Sequence, residues 1–191
     1  MSKKEAAKGY LAGQLLIAMP NMPDPRFART VIYVCAHTSD GAMGLVVNRL
    51  FESLSFEELL TQVGVETDSC RRQIRVHAGG PVESGRGFVL HTTDFVRDGT
   101  MVVDNGVALT ASVDILKAIA EGAGPRECLL ALGYSGWGPG QLENEIQANG
   151  WLHVPADEAL VFDAAIESKW ERAFAKIGVD FSKLSGDAGH A

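Results

Sequence analysis

The first two-thirds of the chain alternate short apolar runs with turn residues, and stripes of helical period appear between and after them. The run "LLIA" (Leu15 to Ala18) predicts a strand that the proline-rich "MPNMPDPRF" closes. The run "VIYVCAH" (Val31 to His37) is β-branched and aromatic, the composition of a buried strand. The Asp40-Gly41 turn follows it, and "LVVN" (Leu45 to Asn48) is the natural antiparallel partner. Ser55 with Glu58 makes a capping box. Phe56, Leu59, Leu60 and Val63 then share one helical face, and Gly64 stops the helix.

Further strands are predicted at "QIRVH" (73–77), "GFVLH" (87–91), "TMVVD" (100–104) and "VALT" (107–110), the last two joined by Asn105-Gly106. A helix over 112–121 turns Ile115, Leu116 and Ile119 inward. The strand "ECLLALGY" (127–134) and a short one, "WLHV" (151–154), come next, and a final helix covers about 163–177. Hairpins early and helices later predict an α+β fold with a mixed, mainly antiparallel sheet, organised as one domain across 1–191. Its ordered core is expected to span about 10–180, with a disordered tail from about 182 to 191.

Charge narrows the function classes. The formal net charge is -7, from 24 acidic and 17 basic side chains, which disfavours a surface built to neutralise phosphates. No helix-turn-helix pattern offsets this, so direct nucleic-acid binding is not expected. Cys35, Cys70 and Cys128 are odd in number and in no CxxC spacing, which suits reduced thiols in a cytoplasmic protein. No apolar run reaches the roughly 20 residues of a membrane span.

The stretch "GYSGWGPGQLENEI" (133–146) invites a chemical reading. A nucleophile elbow, G-x-S-x-G, fits Gly133 to Gly136, but Trp137 stands where the second glycine belongs. A P-loop fits Gly133 and Gly138, but Pro139 and Gly140 replace the Lys and Ser/Thr that hold phosphate and metal. The better reading is architectural: glycines bend the chain off a strand, Pro139 opens a helix, Leu142 and Ile146 face the core, and Trp137 packs as a lid.

In "HAGGPV" (77–82), two glycines after a strand permit the close approach of a backbone or a ligand, and His77 has no nucleophile at fixed spacing. Cys35 and His37, two apart on one strand, should share a face, but no second Cys/His pair completes a metal site. In the proline-rich loop, Arg26 or Arg29 is expected to pair with a carboxylate such as Glu145, with an anionic ligand as the lesser alternative.

Four blocks, "GQLLIAMPNMPDPRFARTVIYVCAH", "GAMGLVVNR", "HAGGPV" and "GYSGWGPGQLENEIQANGWL", together resemble the YqgE/AlgH family of bacterial proteins, in the family's order, over roughly 13–155. The resemblance implies a strongly bent sheet closing into a pseudo-barrel with helices packed outside. It implies no established activity, although some members carry a transcriptional-regulator label. Two departures stand out: Leu50 follows Asn48-Arg49 where the family usually has proline, and Ser135 stands where the family loop commonly has alanine.

Two functional readings follow. The leading one is a non-enzymatic binding or regulatory protein, acting through a protein partner or small ligand rather than by DNA contact. The alternative is a small-molecule binder or enzyme with a pocket near the HAGGPV and GYSGWGPGQ loops. Its candidate surface is Arg29, Asn48, His77, Gly79, Gly80, Trp137, Gly138 and Gln141. No cofactor and no metal are expected, and the oligomeric state stays open.

Overall fold

The computed structural model describes residues 10–178 except Ser69 and Asn105. The predicted tail and the first residue of the Asn105-Gly106 turn therefore lie outside the described residues. The strands are β1 (Gln14–Ala18), β2 (Val31–Thr38), β3 (Gly41–Val46), β4 (Val76–Ala78), β5 (Val82–Thr92), β6 (Thr100–Asp104), β7 (Val107–Thr110), β8 (Cys128–Trp137) and β9 (Trp151–Pro155). The helices are α1 (Phe56–Gln62), α2 (Val113–Ala120), α3 (Gln141–Gln147), α4 (Glu158–Phe162) and α5 (Lys169–Lys176), with a 3₁₀ turn at Ile166–Ser168.

One sheet runs β6-β7-β5-β8-β3-β2-β1-β9, antiparallel throughout, and β4 adds to β8 in parallel. The β2–β3 hairpin forms as predicted, but β3 already starts at Gly41, so the turn is tight and Ala42 to Gly44 pair instead of looping. The sheet curls until its ends approach. Asp104, at the end of β6, packs on Gly13 beside β1, leaving no room for a side chain there.

Alternation sorts the two faces of the sheet. Leu15, Ile17, Val31, Tyr33, Leu45, Phe88, Leu90, Leu129 and Ala131 meet in one inner cluster, which Leu160, Val161, Trp170 and Phe174 of α4 and α5 cover. The opposite face splits in two. Val89, Leu130 and Leu132 pack under α1 and α2, whereas Leu16, Ile32, Val34 and Val46 pack with Leu142 of α3, Trp137 and Trp151. Ser55 accepts from the Glu58 amide at 3.1 Å, as the capping box requires. The final helix expected over about 163–177 starts late: α5 begins at Lys169, after the 3₁₀ turn. The helix before it, α4, was not predicted; Asp157 caps it by accepting from the Leu160 amide at 2.8 Å, and it ends at Asp163.

Candidate functional site

The GYSGW stretch is strand, not loop. β8 continues through Ser135, Gly136 and Trp137, which pair with Gly44, Met43 and Ala42. Gly133 has φ 72°, and this left-handed residue resets the alternation. Tyr134 consequently joins the inner cluster, while Trp137 packs on the opposite face.

The glycines of HAGGPV have a specific use. β4 lies on the side of β8 that β3 occupies farther along, where Gly79 donates to Leu132 O (2.8 Å) and accepts from Val46 N (2.9 Å). Three residues later Val82 pairs with Tyr134 on the other side of β8. The chain must therefore cross β8 at Gly80, whose missing Cβ would overlap the Tyr134 carbonyl group and the Ser135 amide. A Cβ on Gly79 would strike Gly133 O, and one on Gly133 would strike Gly80 O. The close approach that the sequence allowed is thus of backbone to backbone. Ser135, fully buried, donates from Oγ to Gly79 O at 3.2 Å and braces the crossing.

Glu145 organises the rest of the motif. Its Oε1 accepts from the indoles of Trp137 (3.3 Å) and Trp151 (3.1 Å), and its Oε2 accepts from Gln141 Nε2 (2.9 Å). The Oε1 of Gln141 takes the Gly138 amide at 2.9 Å, and the two indoles stack edge to face. Glu145 is therefore not the partner of Arg26 or Arg29. Arg26 pairs with its near neighbour Asp24 at 2.7 Å, and Arg29 reaches Glu171 at 3.4 Å while its guanidinium lies over Trp170.

The proline-rich loop is held from below. Asn48 accepts from the Val31 amide and donates to Arg29 O, each at 2.9 Å. Arg49 donates to the carbonyls of Pro25, Arg26 and Ala28. Asn48 and Arg49 thus fasten the proline-rich loop to the segment that follows β3.

Cys35 and His37 do not share a surface, because the β2 register slips between Val34 and Ala36. Cys35 faces the inner cluster, where burial pushes its thiol up to about 12 and keeps it unionised. His37 Nδ1 accepts from the Leu11 amide at 3.0 Å, which leaves Nε2–H to bond Glu143 of α3. Among the described residues, no group of three or more His, Cys, Asp or Glu is placed to hold a metal ion.

His77 is buried beneath the crossing, its Nδ1 3.1 Å from Leu130 O. Burial first, and then the charges of Lys169 and Arg75, press its pKa down to about 4 against a stabilising bond to that carbonyl. Lys169 is fully buried and donates to Val47 O (2.9 Å) and Val161 O (2.7 Å), tying α5 to α4 and to the residue that follows β3; burial lowers its pKa to about 8.

The depressed His77 pKa has a definite sign. The unfolded chain binds the proton near 6.5 and the fold resists it until about 4, so this stability is present above pH 6.5 and is lost as pH falls through 4. The shift corresponds to about 3 kcal/mol. In urea titrations, His77→Gln should flatten the decline between pH 7 and pH 4 by that order, and an unchanged slope would refute the assignment.

One opening borders both glycine motifs. A cleft of about 620 Å³ lies where β5 swings away from β8, lined by Ala36, Thr38, Asp40, Gly41, Ala42, Met43, Val82, Arg86, Phe88, Tyr134, Gly136 and Trp137. Of the sequence candidates, only Trp137 lines it. Gly79, Gly80 and His77 are packed at the crossing, Gly138 and Gln141 belong to the Glu145 network, and Arg29 and Asn48 sit at the proline-rich loop.

The same fold recurs in proteins of known structure. The AlgH-like family model matches residues 15–182. The chain belongs to the AlgH-like family. A UPF0301 protein of Rhodopseudomonas palustris (strain BisB18) is 57% identical over 97% of this chain and 91% of its own. One from Rhodospirillum rubrum is 53% identical over 96% of each. The solution structure of AlgH from Pseudomonas aeruginosa superposes with TM-score 0.79 at 44% identity, covering 97% of this AlgH-like chain and 98% of that one. A Corynebacterium diphtheriae protein, DIP2367, superposes at TM-score 0.75 with 20% identity, a likeness of fold alone.

Sequence reasoning missed Arg49, Lys169 and the role of Glu145 in this AlgH-like chain, and the cleft residues Asp40, Arg86, Phe88 and Tyr134. Glu145 was legible only as a candidate carboxylate for Arg26 or Arg29, not as the acceptor of two indoles. The cleft residues come from three separate segments and share no spacing.

Proposed function

We propose that this AlgH-like chain is a single-domain, non-enzymatic binding protein of the cytoplasm, and that any regulatory effect runs through a partner held at the cleft rather than through DNA. The observation that supports this reading is the chemistry of the cleft. Its walls are largely apolar and aromatic, and its titratable lining is limited to Asp40, Arg86 and Tyr134. The groups that acid-base or nucleophilic chemistry would recruit, His37, His77, Cys35 and Lys169, are buried elsewhere, and the His and Lys side chains are committed to structural hydrogen bonds. Among the described residues, no helix is long and apolar enough to cross a membrane.

Native mass spectrometry of protein purified from its own host tests the reading. Wild-type protein should retain a partner or ligand that Val82→Lys loses, with both proteins equally stable to heat. Equal retention by the variant would move the site away from the cleft. Sequence-dependent duplex binding by the isolated protein at about 10⁻⁸ M, the range of specific DNA binders, would overturn the indirect route.

A further inference from the structure

The β5 strand does not follow β8 along its whole length. Val82 pairs with Tyr134 and Gly87 with Leu132, so the four residues 83–86 stand against the single residue Gly133 of the partner strand. This bulged arm carries Glu83 at φ 46°, a strained conformation for a residue with a side chain. It forms one wall of the cleft. The β2–β3 hairpin, with Asp40 in its turn, forms the other, because β8 separates the two in the sheet. Bulges of this kind re-aim side chains beside binding sites.

The walls carry opposite charges. The Arg86 guanidinium lies over the Phe88 ring, 5.0 Å from its centroid, a cation–π contact between two residues that line the cleft. Its contact with Glu83 is long, 3.4 Å, between side chains more than half exposed, so an incoming carboxylate can displace it at little cost. Asp40 has no ion pair on its carboxylate among the described residues. Between them lie Met43, Tyr134 and Phe88, the last two stacked edge to face at 5.8 Å.

We propose that the cleft takes an extended peptide segment of a partner protein, apolar in its middle, with a basic residue set against Asp40 and an acidic one against Arg86. The inference rests on the binding reading above and specifies its partner. An apolar floor between opposed charges selects a dipolar chain over a uniformly charged one, because a uniform peptide gains one ion pair and meets repulsion at the other wall.

Amide NMR titration of the full chain with three blocked pentapeptides tests this. All three carry Phe-Val-Phe in the centre, flanked by Lys and Glu, by two Glu, or by two Lys. The dipolar peptide should shift resonances of residues 40–43, 86–88 and 134–137, and each uniform peptide should bind about fivefold more weakly. Arg86→Glu should transfer the preference to the peptide with two Lys. Equal affinity for all three would overturn the charge selection while leaving the cleft as the binding surface. Shifts from none of them, with a host-retained partner still lost in Val82→Lys, would overturn the peptide and leave the binding reading standing. Shifts produced instead by a single small organic ion would assign the cleft to a small ligand, against this proposal.

Discussion

Gly80→Ala should destabilise the protein by on the order of 4 kcal/mol or prevent folding, a cost confined to a few kinds of substitution. The reason is the crossing of β8. A Cβ at this position would overlap the Tyr134 carbonyl group and the Ser135 amide, both backbone, and the φ of 154° is itself rare for a residue with a side chain. Neither neighbour can rotate away as a flexible side chain would. Gly85→Ala is the control: it lies on the bulged arm with no atom within contact of the added methyl, so its stability should stay within about 0.5 kcal/mol of wild type. Urea unfolding of both variants reads the difference, and a wild-type midpoint for Gly80→Ala would refute the crossing.

The second large effect is Trp137→Ala. The indole is 7% exposed, packs edge to face on Trp151 and donates to Glu145, so truncation removes core area and leaves a cavity between the sheet and α3. Loss of a buried large aromatic typically costs about 3–5 kcal/mol. Ser135→Ala removes only the bond to Gly79 O and should cost about 1 kcal/mol. The ordering separates the two interpretations of the motif. An architectural strand requires Trp137 to dominate stability, and Ser135→Ala to fold and to keep whatever partner the wild-type protein retains. A Ser135→Ala protein of normal stability that lost its partner or its effect in the host would restore a direct role for the hydroxyl.

Local pattern carried much of the fold. β2, β6, β7, α1 and α2 fall within a residue or two of their predicted spans, because each depends on its own apolar period and caps. The family blocks carried the bent sheet. Errors gathered where the pattern was not local. Gln73 to Arg75 are not strand, β5 begins five residues early, and the GYSGW glycines continue a strand, since pairing with β3 outweighed their freedom to turn.

The candidate site was less legible. Sequence singled out both glycine motifs, and the cleft does border them, yet most of the eight residues named for it are occupied by structural bonds. Glycine pairs look alike whether the surface approaching them is a ligand or another strand. A slip in register, like the ones that part His37 from Cys35 and lift Arg86 off β8, leaves no mark on composition.

Sequence alone determined most of the strand and helix inventory, the negative charge and the family, all properties of short windows or of their sum, but not α4. Tertiary structure alone decided that β4 reaches β5 by crossing β8, that Glu145 binds two indoles, and that Asp40 and Arg86 face the same cleft. Those relations join residues tens of positions apart, and only the curl and the register shifts of the sheet bring them together.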